Sequence, residues 1–151
     1  MGYSIYIGNA IPKFERTEYD ELYAAWQVET AEDVKDPLGE NNHFQHSYTW
    51  FAEFLKRFNL YDLFLEQKYY HPSEQTEYWE EGLMFNHPGC VIIKEYHYLD
   101  IKNALDKYKL VATKEAGYED GQDHILALLM RLEFWFRYAL DNCEVPAIYN
   151  M

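Results

Sequence analysis

The sequence predicts an α+β fold with a mainly helical core, a long C-terminal central helix and a small N-terminal antiparallel strand pair. Three observations lead to this prediction. An alternating stretch opens the chain, aromatic residues recur at helical spacing in its middle, and a wide apolar helical face lies near its end. With 151 residues, of which 48% are apolar and 19% aromatic, a single domain over 1–151 can bury roughly 70% of its unfolded surface.

The strand pair is predicted from alternation along the first thirty residues. The segment "YSIYIGNAI" is rich in β-formers and predicts a strand over Tyr3–Gly8. The next segment is ambiguous, because Thr17 and Asp20 form a capping box that favours a helix. Apolar residues alternate after it, as in a strand that pairs with the first one. We therefore predict a strand over Tyr23–Glu29.

The helices are predicted from 3.6-residue periodicity. A loop over Asp33–Asn42 leads to a helix that begins near Ser47, a residue type that caps helices well. Tyr61–Lys68 should add one or two helical turns, and Leu99–Lys109 fits a short helix. The apolar face over Gln122–Asn142 is so wide that this last helix should be central. The buried stripe of the first helix should comprise Trp50, Phe51, Phe54, Leu55 and Phe58.

Two other segments carry weaker patterns. Residues 69–90 contain two His-Pro steps and are predicted to form a long irregular stretch. Pro146 bars continuation of the last helix, and "VPAIYN" is predicted to form a short edge strand at the end of the chain.

The stretch "FNHPGC" resembles half of a metal site. Pro at the second position and Gly at the third position of "HPGC" suit a type II turn, with His87 and Cys90 at its corners. A structural zinc site needs about four ligands, typically in two close pairs. The only other pair with such spacing is His43-x-x-His46. A structural turn is therefore favoured, a metal site on His87 and Cys90 or a reactive thiol at Cys90 is the alternative, and no cofactor is expected.

The charge balance constrains the class of partner. The chain has 26 acidic and 13 Lys or Arg residues, with a net charge of −13. Such a surface repels phosphate backbones, so direct nucleic-acid binding is disfavoured and attraction to a basic protein surface is favoured. Solubility alone is the alternative explanation. The longest aliphatic run, Ile125–Met130, is too short to span a membrane, and the first residues lack the features of a signal peptide. We expect a cytoplasmic protein.

Three segments together resemble a group of small bacterial and bacteriophage proteins that have no assigned activity. They are "HSYTWFAEFLKRFNLYDLF", "HPGC" and "RLEFWFRYALDNCEVPAIYN". In that group a strand pair precedes an aromatic helix that starts with Ser-Tyr, a His-Pro-Gly-Cys turn and a Trp-rich final helix. The resemblance implies a phage or prophage origin and an order of elements, and it implies no catalytic residues.

The leading functional hypothesis is a non-enzymatic acidic interaction protein that binds and masks a host protein with a basic surface, such as a defence or nucleic-acid-binding protein. No nucleophile elbow, phosphate loop, dinucleotide fingerprint or His-Glu-x-x-His motif is present, which disfavours an enzyme. The acidic segments Glu15–Glu21, Glu29–Glu40 and Glu74–Glu81 would steer association, and aromatic residues would anchor it. A homodimer is compatible with the composition. The predicted partner-binding residues are Tyr69, Tyr70, Glu77, Tyr78, Trp79, Glu80 and Glu81.

Two alternatives come from other residues. The first is a pocket that sequesters a nucleotide or another small molecule beside the arginines of the last helix. Those arginines must be paired or exposed, so pairing with neighbouring acids is the competing interpretation. The second alternative is a small metal-dependent enzyme built on His87, Cys90 and His97. The predicted pocket residues are Trp50, His87, His97, Arg131, Trp135 and Arg137.

Overall fold

The computed structural model describes residues 2–16, 18–19, 22–31, 33–65, 67–71, 75–80, 82–83, 89–114 and 124–150. For residues 12–16, 22–28, 67–71, 76, 78–80 and 111–114 it describes the backbone alone. These described ranges form seven strands, three α-helices and one 3-10 turn. The strands are β1 (Gly2–Arg16), β2 (Leu22–Glu29), β3 (His43–Ser47), β4 (Gln67–His71), β5 (Thr76–Glu80), β6 (Gly89–Ile92) and β7 (Pro146–Asn150). The helices are α1 (Tyr48–Arg57), α2 (Glu95–Lys114) and α3 (His124–Asn142), and the 3-10 turn covers Tyr61–Phe64.

The described strands form one sheet centred on β1. The strand order is β4-β5-β2-β1-β7-β6, and β3 pairs with β1 outside that path. All these pairs are antiparallel except β2–β5, which meet in parallel at Tyr23 and Trp79. The β4–β5 hairpin is therefore attached to an antiparallel centre through one short parallel contact.

Strands β2 and β3 lie on the same edge of β1. β1 pairs with β2 over its residues 9–16 and with β3 over its residues 2–6. β7 pairs with residues 5–9 of β1, so it overlaps β3 and must lie on the opposite edge. Between β2 and β3 the chain leaves the sheet at Glu29 and returns at His43. We call residues 30–42 the excursion loop; residue 32 is outside the described ranges. At the point of departure a Cβ on Gly8 would overlap the carbonyl oxygen of Glu29, so this close approach requires glycine.

The main buried cluster is formed jointly by the sheet and the helices. Ile5 and Ile7 of β1 are at most 1% exposed, as are Trp135 and Phe136 of α3, and all four belong to one cluster. α3 contacts β1, β7 and α2. The core thus lies between one face of the sheet and the helices, which is the two-layer arrangement expected when a half-apolar sheet must cover its apolar face.

The predicted architecture is wrong, although strands and helices together fit the α+β class. The core is not mainly helical, because strand residues such as Ile5, Phe44 and Ile148 are buried within it. α3 is not a single long central helix, because α2 has 20 residues against its 19 and packs against it. The expected strand pair is part of a much larger sheet. β3 and β6 have only five and four residues, which is too short for a convincing alternation in the sequence.

The local predictions have mixed outcomes. Strands over Tyr3–Gly8 and Tyr23–Glu29 are confirmed within β1 and β2, and the last helix is confirmed from His124. The irregular stretch over residues 69–90 is wrong where β4, β5 and β6 lie. The last strand is confirmed as β7, but it is not an edge strand because β1 and β6 flank it.

Helix α1 begins after Ser47 as predicted, but the Ser47 side chain makes no capping hydrogen bond. The helix ends in a Schellman motif. The amide of Leu60 donates to the carbonyl of Leu55 at 2.8 Å, and the amide of Asn59 donates to that of Lys56 at 3.4 Å. Asn59 has the positive φ of 62° that this motif needs. The motif fixes the direction of the chain where α1 faces α2.

Candidate binding surfaces

The excursion loop is fixed to α3 by a buried ion pair. The fully buried carboxylate of Asp36 accepts a hydrogen bond from Nε of Arg131 at 2.8 Å and one from Nε1 of Trp135 at 3.2 Å, both through Oδ2. Its Oδ1 accepts from the amides of Leu38 and Glu40 at 2.9 and 3.1 Å. Both carboxylate oxygens are therefore satisfied, as a buried charge requires.

Further contacts fix the end of the excursion loop. Nη2 of Arg131 donates to the carbonyl of Asn41 at 2.8 Å, and its guanidinium carbon lies 4.1 Å from the ring centroid of Phe44. Asn42 is buried, and its Nδ2 donates to the carbonyl of Ile7 at 2.9 Å. The excursion loop is thus held against both α3 and β1.

The other described acids of this segment face solvent. Asp33 and Glu40 are exposed, as is Glu29 at the end of β2. Lys35 is the one cation in residues 29–42. Leu38, with 43% of its surface exposed, adds an apolar contact point. The segment therefore presents acids on a backbone that its buried neighbours hold in place.

His46 lies beside this anchor as a neutral base. Its ring stacks on Trp50 and Phe51, with ring centroids 4.9 and 5.5 Å apart. Burial, together with the positive charge of Arg131, lowers the pKa of His46 from 6.5 to about 4. His46 is therefore uncharged at neutral pH.

The predicted partner-binding residues lie on the β4–β5 hairpin, except for Glu81, which is outside the described residues. β4 is the last strand in the sheet order. The register pairs Tyr69 with Tyr78 and Tyr70 with Glu77. Glu77 is exposed. For the members of the set on β4 and at the end of β5, the backbone alone is described: Tyr69, Tyr70, Tyr78, Trp79 and Glu80.

Both arginines of α3 pair with carboxylates. This confirms the interpretation that they pair with acids, which competes with the prediction of a ligand pocket beside them. Arg131 and Trp135 meet at Asp36. Arg137 donates to Glu95 at 3.1 and 3.2 Å and to Asp141 at 2.8 Å. Of the other predicted pocket residues, Trp50 stacks on His46, His97 lies at the start of α2, and His87 is outside the described residues.

His97 supports the start of α2. It is fully buried, and its Nδ1 accepts a hydrogen bond from the amide of Lys94 at 3.0 Å, as the third helical residue of a capping box does. Its Nε2 lies 3.4 Å from Oδ2 of Asp62, which also accepts from the hydroxyl of Tyr96 at 2.9 Å. Burial lowers the pKa of His97 to about 4 despite the nearby Asp62 carboxylate. Nδ1 thus caps the helix, whereas the buried Nε2 lies near Asp62 without forming a hydrogen bond in the described part of the chain.

The "HPGC" segment is described only at Gly89 and Cys90, which open β6. Cys90 is 5% exposed and packs in a small cluster with Ala10 and Ala147. Its thiol is not bonded to Cys143, and burial raises the pKa of the Cys143 thiol. His87 and the rest of the predicted turn lie outside the described residues. Within the described ranges, no three His, Cys, Asp or Glu side chains are grouped as metal ligands would be.

A groove of about 420 Å³ lies between the end of α1 and one side of α2. The guanidinium carbon of Arg57 lies 5.0 Å from the ring centroid of Phe58 and 5.5 Å from that of Tyr108. Burial raises the pKa of the Asp100 carboxyl in this groove, and the charge of Asp62 raises it further. The lining residues are Arg57, Phe58, Asn59, Asp100, Asn103, Ala104, Lys107 and Tyr108.

Comparisons with known proteins give no match: no family model, no curated protein and no solved structure resembles the chain significantly. The likeness to small phage proteins therefore stays a prediction. Among the described helices, none is long and apolar enough to cross a membrane.

Sequence reasoning missed the two features that organise these surfaces. Asp36 precedes Pro37 and Gly39 with the spacing of a type I turn, and the amide of Gly39 does donate to the carbonyl of Asp36 at 2.9 Å. That signal could have identified the turn, but not the partner Arg131, which is 95 positions away. The groove brings together Arg57 and Tyr108, and no pattern in the sequence links them.

Proposed function

We propose that this protein is a non-enzymatic interaction protein that binds and masks a basic surface of another protein, with the excursion loop as a principal contact surface. The net charge of −13 favours such a partner and disfavours nucleic acid. If the chain is of phage or prophage origin, as its resemblance implies, the partner is a protein of the bacterial host.

The proposal rests on the fact that the excursion loop has one acid buried against α3 and two acids exposed to solvent. Asp36 points inward to Arg131, whereas Asp33 and Glu40 are exposed to solvent. A loop that is already ordered loses little conformational entropy on binding, so its charges contribute more to affinity than those of a free tail. Exposed acids also accelerate encounter with a basic surface.

The β4–β5 hairpin is proposed as a second contact element. It lies at the end of the sheet order, and it carries an acidic and aromatic composition suited to a basic partner. Glu77, which is exposed, would contribute charge. The tyrosines and Trp79 of the hairpin would contribute apolar anchors.

Charge reversal in the excursion loop tests the proposal. The double variant Asp33→Lys, Glu40→Lys should abolish capture of a basic partner from host extract, because the two new lysines would repel the basic surface that the acids attract. Glu53→Lys with Asp106→Lys is the matched control, since these exposed acids lie on α1 and α2 and give the same change in net charge. Captured proteins are quantified by mass spectrometry at about 0.05 and 0.3 M salt.

Support requires a protein with a basic surface that is held by the wild type and the control, lost by the loop variant, and released at the higher salt concentration. Capture that is the same for all three proteins, or that is insensitive to salt, would contradict the proposal.

A further inference from the structure

The groove between α1 and α2 has the size and composition of a small-molecule site. Its volume of about 420 Å³ lies within the range of roughly 300–1,000 Å³ that is usual for such sites. A second cavity of about 140 Å³ adjoins it and shares Arg57 and Phe58. A shallow hollow of about 420 Å³ along β1 and β3 is lined by Gly2, Tyr3, Ser4, Gln45, His46 and Ser47, none of them Lys or Arg.

Arg57 differs from the other arginines whose side chains are described. Arg131 and Arg137 each hold a carboxylate at 2.8 Å. Arg57 makes only ring contacts, to Phe58 and Tyr108, and no ion pair with any residue in the described part of the chain. In a protein with twice as many acids as bases, a guanidinium of this kind keeps its donors available for an anion from outside.

The charge of the groove sets the charge of its ligand. Lys107 is a second cation of the lining, and the described residues give it no ion-pair partner. Asp100 is the one acid among the described lining residues, so that part of the lining carries a net charge of about +1 within an acidic protein. Such a site suits one anionic group and would be too weak for a polyanion, which the whole molecule repels.

The remaining lining groups suit a planar body. The rings of Phe58 and Tyr108 meet edge to face, with centroids 6.1 Å apart, beneath the guanidinium of Arg57. Arginine above aromatic rings forms a surface on which another flat group can stack. The amide side chains of Asn59 and Asn103 add donors and acceptors, and the Schellman motif fixes the backbone at Asn59.

From this arrangement we propose that the groove binds a small planar molecule that carries one anionic group, either a phosphate monoester or a carboxylate. The anion lies against Arg57 and Lys107, and the ring stacks beside Phe58 and Tyr108. This site is separate from the excursion loop, so it can be occupied whether or not the protein also binds a basic partner.

Calorimetric titration of the full chain at low salt tests the site with defined probes. Adenosine monophosphate represents the phosphate source and indole-3-acetate the carboxylate source, while adenosine and inorganic phosphate each supply only half of the ligand. We expect at least one of the first two to bind with a Kd of about 1 mM or lower, and the half-ligands to bind at least about tenfold more weakly.

Substitutions then locate the binding. Arg57→Gln should weaken it at least about tenfold, whereas Arg137→Gln, the same change at an arginine already paired with two carboxylates, should leave it within about twofold. Lys107→Gln and Tyr108→Leu give a second pair of variants if Arg57→Gln does not fold. The proposal is overturned if neither anionic probe binds with a Kd of about 1 mM or lower, if the half-ligands bind as tightly as the anionic probes, or if the groove variants bind as well as the wild type.

Discussion

Single buried groups decide much of how this molecule responds to acid. His46 and His97 both have their pKa lowered from 6.5 to about 4 because burial disfavours the charged ring. Neither the full burial of His97 nor the partial burial of His46 could be recognised from its sequence position. His46 precedes a helix and His97 lies near a helix start, and both positions are usually open to solvent.

Acid should therefore destabilise the protein through His97. A histidine with a lowered folded-state pKa stabilises the fold above its unfolded pKa of about 6.5, and this contribution is lost as the pH falls toward 4. Between pH 7 and about 4.5, the wild type should lose about 2 kcal/mol more unfolding free energy than His97→Gln. Glutamine keeps an acceptor for the amide of Lys94, so the cap survives while the titration is removed.

Urea unfolding at the two pH values measures this difference. His124→Gln, which removes an exposed histidine at the start of α3, is the control and should show the wild-type loss. An equal loss in the wild type and in His97→Gln would mean that folding does not lower the pKa of His97, which would contradict the prediction.

At the scale of elements, the excursion loop is the part of the fold that depends most on a distant contact. β2 and β3 lie on the same edge of β1, so the chain must leave the sheet and return to the same edge. The loop itself could be predicted from its Pro, Gly and Asn content. Its anchoring could not, because Asp36 and Arg131 are 95 positions apart and many acids and bases in the chain could have formed that pair.

Asp36→Asn should destabilise the fold by about 3 kcal/mol, because it keeps the size of the side chain but leaves the guanidinium of Arg131 without its buried counter-charge. Asp141→Asn is the matched control: it removes an exposed partner of Arg137, which retains Glu95, and should cost less than about 1 kcal/mol.

Both free energies come from urea unfolding at pH 7. Proteolysis provides a second readout, since loss of the anchor should expose the backbone at Leu38 and Gly39 to cleavage in the folded state. If the two Asn variants have equal stability and the loop stays protected, the buried pair does not hold the loop.

At the scale of the whole molecule, the sequence predicted the elements better than their assembly. Long periodic segments such as α3 and the start of β1 were predictable, because their apolar pattern extends over several turns or alternations. The seven-stranded sheet was not predictable, because several of its strands are short and some pair with strands that are far away in the sequence, as β1 does with β7. The groove and the anchored acidic surface are products of that assembly. Composition alone predicted the acidic character that the proposed function needs.

Zero-length carbodiimide cross-linking of the protein to its captured basic partner identifies the acids at the contact surface, because it joins only carboxylates and amines that touch. We expect links from Glu29, Asp33 or Glu40 to partner lysines, and none from the buried Asp36, which serves as an internal control. Links confined to acids of α1 and α2, such as Glu53 and Asp106, would show that the partner contacts the helices and would contradict the proposal that it contacts the excursion loop.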